Sequence, residues 1–407
     1  MSPGSLPEGE PVPEDGALPP SARAELSSRG LSAYVHVPFC VTRCGYCDFN
    51  TYTAAELGAA PGDSQESYLR ALDAEVALAR RVLGDGAPPL QTIFFGGGTP
   101  TVLAPEKLGA VVAGLRDAFG LADDAEVTTE ANPDSVTPEA LRTLVEAGVN
   151  RISFGMQSSQ EHVLSVLDRT HTPGRALEAV RWAREAGFAS VSLDLIYGTP
   201  GESLDDWRAS LDAALGAEPD HVSAYSLIVE DGTPLARRVR RGELPMPDED
   251  DLADKYVLAD DALSGAGYRW YEVSNWAKPG HECRHNLAYW VGDSWWGFGP
   301  GAHSHVGGVR FWNVKHPRRY AQLLAHGRTP AAGREVLTPG ERREERVLLE
   351  LRLDRGLPLD VLTVTERRRV PEVVARGLGT LSAGDERLVL TRRGRLLADA
   401  VIRDLLD

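Results

Sequence analysis

The sequence predicts an α/β protein in which repeated strand–helix units form one large domain, followed by a small helical domain at the C-terminus. Short runs rich in β-branched and aromatic residues alternate with amphipathic helical segments from residue 32 to residue 228. An aromatic, glycine-rich stretch follows from about residue 270, and an arginine-rich helical segment from about residue 338. Repeated βα units imply parallel strands, which form either an open doubly wound sheet or a partial barrel.

The strands and helices of the repeat can each be predicted from the local spacing of apolar residues. The predicted strands are apolar runs at 32–37, 91–95, 126–130, 151–155, 190–198 and 221–228. The predicted helices, with apolar residues spaced by three to four, are 66–83, 105–119, 138–148, 174–187 and 203–216. We expect a disordered, Pro/Gly-rich tail, a core domain, a connecting region and a C-terminal domain, at 1–28, 29–270, 271–335 and 336–407.

The composition and net charge of the chain argue against several classes of protein. A formal charge of −16 argues against a protein that wraps nucleic acid with a broad basic surface. The chain contains no apolar run long enough to span a membrane and no secretion signal at its start, so we expect a cytoplasmic protein. Four cysteines, three of them within eight positions, suggest a metal site and a reducing compartment.

The three clustered cysteines follow the first strand in HVPFCVTRCGYCDFN. Cys40, Cys44 and Cys47 have the spacing C-x3-C-x2-C, at the end of a strand where βα folds place their sites. Three thiolates can hold three irons of a [4Fe-4S] cubane and leave the fourth iron open. Structural zinc is the alternative, but a closed zinc site needs a fourth ligand such as the distant Cys283.

This motif, with Tyr46 before the last cysteine, resembles the signature of the radical S-adenosylmethionine (SAM) superfamily. The resemblance implies that the amino and carboxylate groups of SAM bind the open iron. It also implies that an electron from the cluster cleaves the sulfonium to methionine and a 5′-deoxyadenosyl radical.

A second group of residues predicts the SAM pocket. Gly96-Gly97-Gly98-Thr99-Pro100 ends the second predicted strand, where absent side chains let a ligand approach the backbone; a tight turn is the alternative. Glu130 ends the third strand, and either a ligand or solvent could accommodate its charge.

The motifs EANP, SFGMQS, DLIYGTPGES and YEVSN are similar to the coproporphyrinogen-oxidase-like branch of the superfamily over residues 31–407. This resemblance implies a partial (β/α)6 barrel with a winged-helix-like C-terminal domain. It also implies a set of SAM-binding residues, namely Tyr34, Tyr46, Gly97, Gly98, Thr99, Glu130, Gln157, Arg169 and Asp194.

Two features separate the subfamilies of this branch. The oxygen-independent coproporphyrinogen III oxidases carry a further cysteine where this chain has Phe49, whereas the heme chaperones have phenylalanine. The segment HNLAYW also resembles the HNxxYW heme motif of those chaperones, which implies His285 as a heme ligand. The alternative is a hydrogen-bonded loop histidine beside core aromatics, and for Cys283 a buried thiol is favoured over a second ligand.

The preferred interpretation is a heme chaperone with a [4Fe-4S] cluster, SAM and heme. Its expected partners are heme, an acceptor hemoprotein such as a respiratory protein and, if SAM is cleaved, an electron donor. The alternative is an oxygen-independent coproporphyrinogen III oxidase of porphyrin biosynthesis. A DNA-binding regulator is less favoured, because the C-terminal arginines fit a solvated basic face in an acidic protein.

Overall fold

The computed structural model describes residues 8–26, 29–58, 63–172, 174–384 and 386–406 of the chain. Within these residues one sheet has twelve strands. In chain order they are β1 Leu31–Val37, β2 Leu90–Gly97, β3 Leu121–Ala131, β4 Arg151–Gln157, β5 Ser190–Tyr197, β6 His221–Ser226, β7 Arg269–Glu272, β8 Asn275–Ala277, β9 Ser294–Phe298, β10 His303–Val306, β11 Val309–Asn313 and β12 Ala331–Val336.

Helices connect these strands. They are α1 Pro20–Glu25, α2 Ala54–Leu57, α3 Gln65–Leu83, α4 Pro105–Phe119, α5 Pro138–Glu146, α6 Glu161–Val166, α7 Arg175–Ala186, α8 Leu204–Gly216, α9 Pro234–Arg240, α10 Glu249–Gly265, α11 Arg284–Trp290 and α12 Pro317–Ala325. Short 3-10 turns at Pro100–Val102 and Pro133–Ser135 follow β2 and β3. No helix among the described residues is long and apolar enough to cross a membrane.

The sheet has the strand order β12-β11-β10-β9-β1-β2-β3-β4-β5-β6-β8-β7. Strands β1 to β6 pair in parallel with their successive neighbours, and β6 does not close onto β1. The α/β fold with six parallel strands in an incomplete barrel is therefore confirmed. The strands of the aromatic stretch were not predicted, and β9 extends the sheet by pairing in parallel with β1.

Burial and helix caps explain these elements. All seven residues of β4 are buried, as expected for a parallel strand that is covered on both faces. The Ser203 side chain accepts from the Asp206 N–H, and the Asp206 side chain caps the Ser203 N–H in return, which fixes the start of α8. The carboxyl ends of the parallel strands thus lie at one edge, where sites of βα folds form.

A second apolar cluster consists only of residues between Val347 and Leu405. The elements of this region are α13 Pro339–Glu350, β13 Leu357–Pro358, α14 Val364–Arg367, α15 Val370–Ala375, β14 Gly379–Leu381, β15 Arg387–Leu390, α16 Arg392–Leu396 and α17 Ala398–Leu406. The strands form a sheet in the order β13-β15-β14. A separate core supports the C-terminal domain that we propose, while its winged-helix character stays a prediction.

The predicted disorder of the tail is wrong for residues 8–26. Leu18, Ala22 and Leu26 are buried, and the main chain of Glu10 forms an antiparallel bridge with Arg334 of β12. The low overall hydrophobicity of the segment concealed these three apolar residues, of which Ala22 lies within α1 and the other two lie on either side of it. The rest of the predicted tail, residues 1–7 and 27–28, lies outside the described residues.

Candidate functional site

A cleft of about 670 Å³ lies among the loops that follow the parallel strands. Its volume is in the range of sites that hold one small-molecule ligand. Ten of the predicted site residues line it together, namely Cys40, Cys44, Tyr46, Cys47, Gly97, Gly98, Thr99, Glu130, Gln157 and Arg169, and Asp194 joins them from β5. The cleft thus gathers residues from five successive strands and their loops.

The cysteine loop lies between β1 and α2. Cys40, Cys44 and Cys47 are partly buried and form no disulfide. The Thr99 hydroxyl donates to the Cys40 Sγ at 3.9 Å, and the Arg169 Nη1 donates to the Cys44 Sγ at 3.4 Å. Burial raises the pKa of Cys47 to about 11, so its thiolate needs a cation to stabilise it. Iron ions provide that stabilisation when a thiol becomes a ligand.

The donor set of this loop fits an iron–sulfur cluster. No group of three or more His, Cys, Asp or Glu side chains in the described ranges converges on a point that would hold a metal ion. In a cubane each cysteine binds a different iron, so a cluster does not require such convergence. The fit rests on three unpaired cysteines in one cleft, with hydroxyl and guanidinium donors beside two of them.

Hydrogen bonds tie the end of the cysteine loop to the barrel. The Asn50 side chain donates to the carbonyls of Pro300 and Lys315, at 3.0 and 2.9 Å. The Nε2 of His36 on β1 is hydrogen-bonded to the Asn50 carbonyl at 2.9 Å. The loop is therefore anchored independently of any bound group.

The glycine loop after β2 packs directly against the cysteine loop. Gly97 has φ +105°, and a Cβ at this position would lie 2.5 Å from the His36 ring. A Cβ on Gly98 would lie 2.5 Å from the carbonyl oxygen of Phe39. The tight-turn interpretation is thus supported, because these glycines permit the close approach of two loops. They also line the cleft, where the ligand interpretation stays a prediction.

Two carboxyl groups project into the cleft. Burial, followed by the charge of Asp194, raises the pKa of Glu130 to about 8. Burial also raises the pKa of Asp194, although hydrogen bonds from Ser223 and Ser153 partly lower it. The Ser153 hydroxyl donates to Asp194 at 2.9 Å. Each carboxyl group is poised to accept from hydroxyl or ammonium groups of a ligand.

Gln157 and Arg169 complete the cleft floor. Gln157 ends β4 with φ +65°, an uncommon conformation for a residue other than glycine, and such strain is found often at ligand sites. The Nη2 of Arg169 donates to the Gly155 carbonyl at 2.9 Å, which positions its guanidinium beside Cys44. This hydrogen bond holds Arg169 against the C-terminal end of β4.

Tyr34 is the predicted SAM residue that does not line this cleft. It faces a second, smaller cavity of about 230 Å³, which shares Glu130 and Asp194 with the main cleft. Its hydroxyl is hydrogen-bonded to the His36 Nδ1 at 3.0 Å, and its ring stacks near Phe94. Tyr34 thus shares this smaller cavity with Glu130, Asp194 and the predicted heme residue His285, and lies apart from the cysteine and glycine loops.

His285 lies on α11 and is only 1% exposed. Its Nδ1 is hydrogen-bonded to the Thr92 hydroxyl at 2.6 Å and its Nε2 to the Tyr289 hydroxyl at 2.7 Å. Burial, followed by the charge of Arg151, lowers the pKa of His285 to about 3. The hydrogen bonds match the alternative of a hydrogen-bonded histidine, although His285 lies on a helix and not in a loop. Binding to iron requires one of the two hydrogen bonds to break.

Cys283 precedes the same helix and is buried. Its Sγ lies 3.6 Å from Glu126 Oε1, and the same carboxylate accepts from the N–H groups of Arg284 and His285 at 3.0 Å. Glu126 thus caps the start of α11, where a negative charge is favourable. Cys283 takes part in this structural contact, as the favoured interpretation expected.

Some cleft residues were missed in the sequence. His171 lies in the loop before α7 and lines the cleft, and Tyr225 lines it from β6. The available signal was the segment LDRTH, in which His171 follows Arg169 by two positions. Sequence reasoning singled out the arginine and passed over the histidine.

Comparison with known proteins assigns the family. Residues 34–214 match the model of the radical SAM superfamily. The heme chaperone HemW of Mycobacterium tuberculosis is 56% identical to this chain, and the match covers 94% of this chain and 96% of that protein. The heme chaperone HemW of Bacillus subtilis is 36% identical, and the match covers 91% of this chain and 97% of that protein. The chain belongs to the HemW family of radical SAM proteins. The match to these two HemW proteins is long enough to include both the barrel and most of the C-terminal region.

A solved structure confirms the fold of this HemW-family chain. Coproporphyrinogen III oxidase (HemN) of Escherichia coli superimposes with a TM-score of 0.80, covering 94% of this chain and 92% of that one. The sequence identity is 24%, so this match concerns the fold alone. The predicted resemblance to this branch is confirmed.

Proposed function

We propose that the protein is a heme chaperone, which binds heme and transfers it to an acceptor hemoprotein such as a respiratory protein. The observation that carries this proposal is the 56% identity to a heme chaperone HemW over nearly the full length of both chains. Function resides in sites rather than in folds, so the fold shared with an oxidase does not decide between the two.

We propose that the cleft holds the two cofactors of the superfamily. Cys40, Cys44 and Cys47 would hold a [4Fe-4S] cluster, which supplies one iron with an open position for the amino and carboxylate groups of SAM. The cleft contains the complementary groups: the Arg169 guanidinium for a carboxylate, and Glu130 and Asp194 for ammonium or ribose hydroxyl groups.

The remaining cleft residues would orient and shield SAM. Gly97 and Gly98 leave backbone groups accessible at the edge of the cleft, and Thr99 lies beside them. Gln157 and Tyr46 contribute an amide and an aromatic surface. Tyr34 would act from the adjoining cavity, through Glu130, which lines both.

Phe49 supports a carrier over an oxidase. It lines the cleft near the cluster loop and is 60% exposed, so it offers an apolar surface where the oxidases carry a further cysteine. A phenyl ring can neither bind iron nor donate a hydrogen atom from a thiol. The position favours contact with a flat apolar ligand such as heme.

A hemin titration of anaerobically reconstituted protein tests this proposal. One hemin per chain should bind, with a shift of the Soret band that saturates at equimolar hemin. The Cys283→Ser variant is a matched control, because its thiol is buried in the contact with Glu126 and should leave hemin binding unchanged. A wild-type protein that leaves the hemin spectrum unshifted would refute the chaperone proposal.

A further inference from the structure

The hydrogen-bond partners of the histidines suggest a different site for the heme iron. His305 is buried, and its Nδ1 is hydrogen-bonded to the Asp293 carbonyl at 3.0 Å. The buried His36, His221 and His285 each use both ring nitrogens in hydrogen bonds. None of these three has a ring nitrogen available to iron without losing a contact that burial makes costly to lose.

His171 differs from these three histidines. It is 7% exposed and lines the main cleft, and its Nδ1 is buried without a hydrogen-bond partner. Burial, followed by the charge of Arg169, lowers the pKa of His171 to about 4, so the imidazole is neutral at pH 7. An unpaired polar group in an interior is costly, and a ligand atom would remove that cost.

Apolar side chains surround the mouth of the same cleft. Val41, Phe49 and Ile228 all line it and are 79%, 60% and 64% exposed. Tyr225, at 44% exposure, adds an aromatic ring from the end of β6. Clustered exposed apolar residues mark sites for apolar ligands, and a planar macrocycle would cover this rim.

We propose that heme lies across the mouth of this cleft, with His171 as the iron ligand and the porphyrin against Val41, Phe49 and Ile228. This assignment rests on the proposed function and places the cargo over the cofactor site. A volume of about 670 Å³ suits one small ligand, so heme would lie above SAM rather than beside it. Neutral imidazole is a common axial ligand of heme iron.

Histidine variants test the ligand. We expect His171→Ala to weaken hemin binding by about tenfold or more and to shift the Soret band, with the iron content of the cluster unchanged. His162→Ala is the matched control: His162 is on α6, half-exposed, paired with Asp206 and outside the cleft, so its loss should change nothing. His285→Ala should bind hemin as the wild type does.

A rescue experiment separates ligation from folding. In His171→Gly, added imidazole should restore the wild-type Soret position, which a merely structural role for His171 would not allow. Ile228→Asp should weaken hemin binding while SAM still perturbs the cluster spectrum, because a carboxylate would replace apolar contact at the rim.

The outcomes distinguish this inference from the function on which it rests. Full hemin binding by His171→Ala together with loss in His285→Ala would overturn the His171 assignment and leave the chaperone proposal intact. Failure of imidazole to restore the spectrum of His171→Gly would also overturn it. Absence of hemin binding by the wild type would refute the chaperone proposal, and the assignment with it.

Discussion

At the scale of single residues, the cluster assignment depends on three thiols. Cys44→Ser should lower the iron content of reconstituted protein from about four irons per chain to near zero, because each cysteine binds its own iron. Cys283→Ser is the control, since Cys283 contacts Glu126 on another part of the barrel. Iron and sulfide analysis measures the result, and four irons retained without Cys44 would contradict it.

Gly97 tests the SAM pocket. Gly97→Val should weaken by about tenfold or more the change that SAM produces in the cluster spectrum, because φ +105° disfavours valine and a Cβ would press on His36. Gly114→Ala on α4 is the control, because space around Gly114 is open. An unchanged SAM affinity in Gly97→Val would remove Gly97 from the pocket.

The residues of the site could be predicted from the sequence only where a motif marked them. Cys40, Cys44 and Cys47 follow a spacing that reflects cluster chemistry, and the structure brings them into one cleft. His285 was marked by a motif as well, but its ring nitrogens are occupied by Thr92, which is far away in the sequence, and by Tyr289. Tyr289 belongs to the motif itself, but no local pattern reveals the long-range hydrogen bond between His285 and Thr92.

At the scale of elements, Glu75 on α3 joins this helix to the region of β11 and α12. It accepts hydrogen bonds from the Tyr320 hydroxyl, the Gly299 N–H and the Asn313 amide. Burial raises the pKa of Glu75 to about 7, above the value of about 4.3 for an unfolded chain. The folded state therefore keeps a proton that the unfolded state has lost.

The free energy of unfolding therefore falls as the pH rises from about 4.3 to about 7, because the folded state holds a proton on Glu75 that the unfolded state has released. Above about pH 7 both states are deprotonated at this residue, and Glu75 causes no further decrease. Denaturant titrations at pH 5 and pH 7.5 should show a smaller decrease in Glu75→Gln than in the wild type. Glu185→Gln, an exposed residue of α7, serves as control. An identical decrease in wild type and Glu75→Gln would contradict this account.

Strands β1 to β6 could be predicted because each is an apolar run and an amphipathic helix separates each strand from the next. Strands β7 to β12 could not, because they are short and their pairing is set by distant residues. β8 has three residues, and β9 becomes part of the sheet only through parallel pairing with β1, more than 250 residues earlier in the chain. Periodicity over such short runs carries too little information to separate a strand from a loop.

At the scale of the whole molecule, a stacked arginine attaches the C-terminal domain to the barrel. The Arg395 guanidinium lies 3.7 Å from the centre of the Trp270 ring and 3.3 Å from Asp260 on α10. Arg395→Ala should weaken this attachment by about 1 kcal/mol and speed hydrogen exchange in β15 and α17. Arg403→Ala, an exposed residue of α17, is the control, and unchanged exchange in Arg395→Ala would contradict the prediction.

A heme carrier and an oxidase on the same fold differ in whether they act on coproporphyrinogen III. The most direct test is incubation of the cluster-loaded protein with coproporphyrinogen III, SAM and a reductant, with carbon dioxide and protoporphyrinogen measured. With Phe49 in place of the further cysteine of the oxidases, we predict no release above a protein-free control. Sustained release of carbon dioxide by the wild-type protein would contradict the chaperone account.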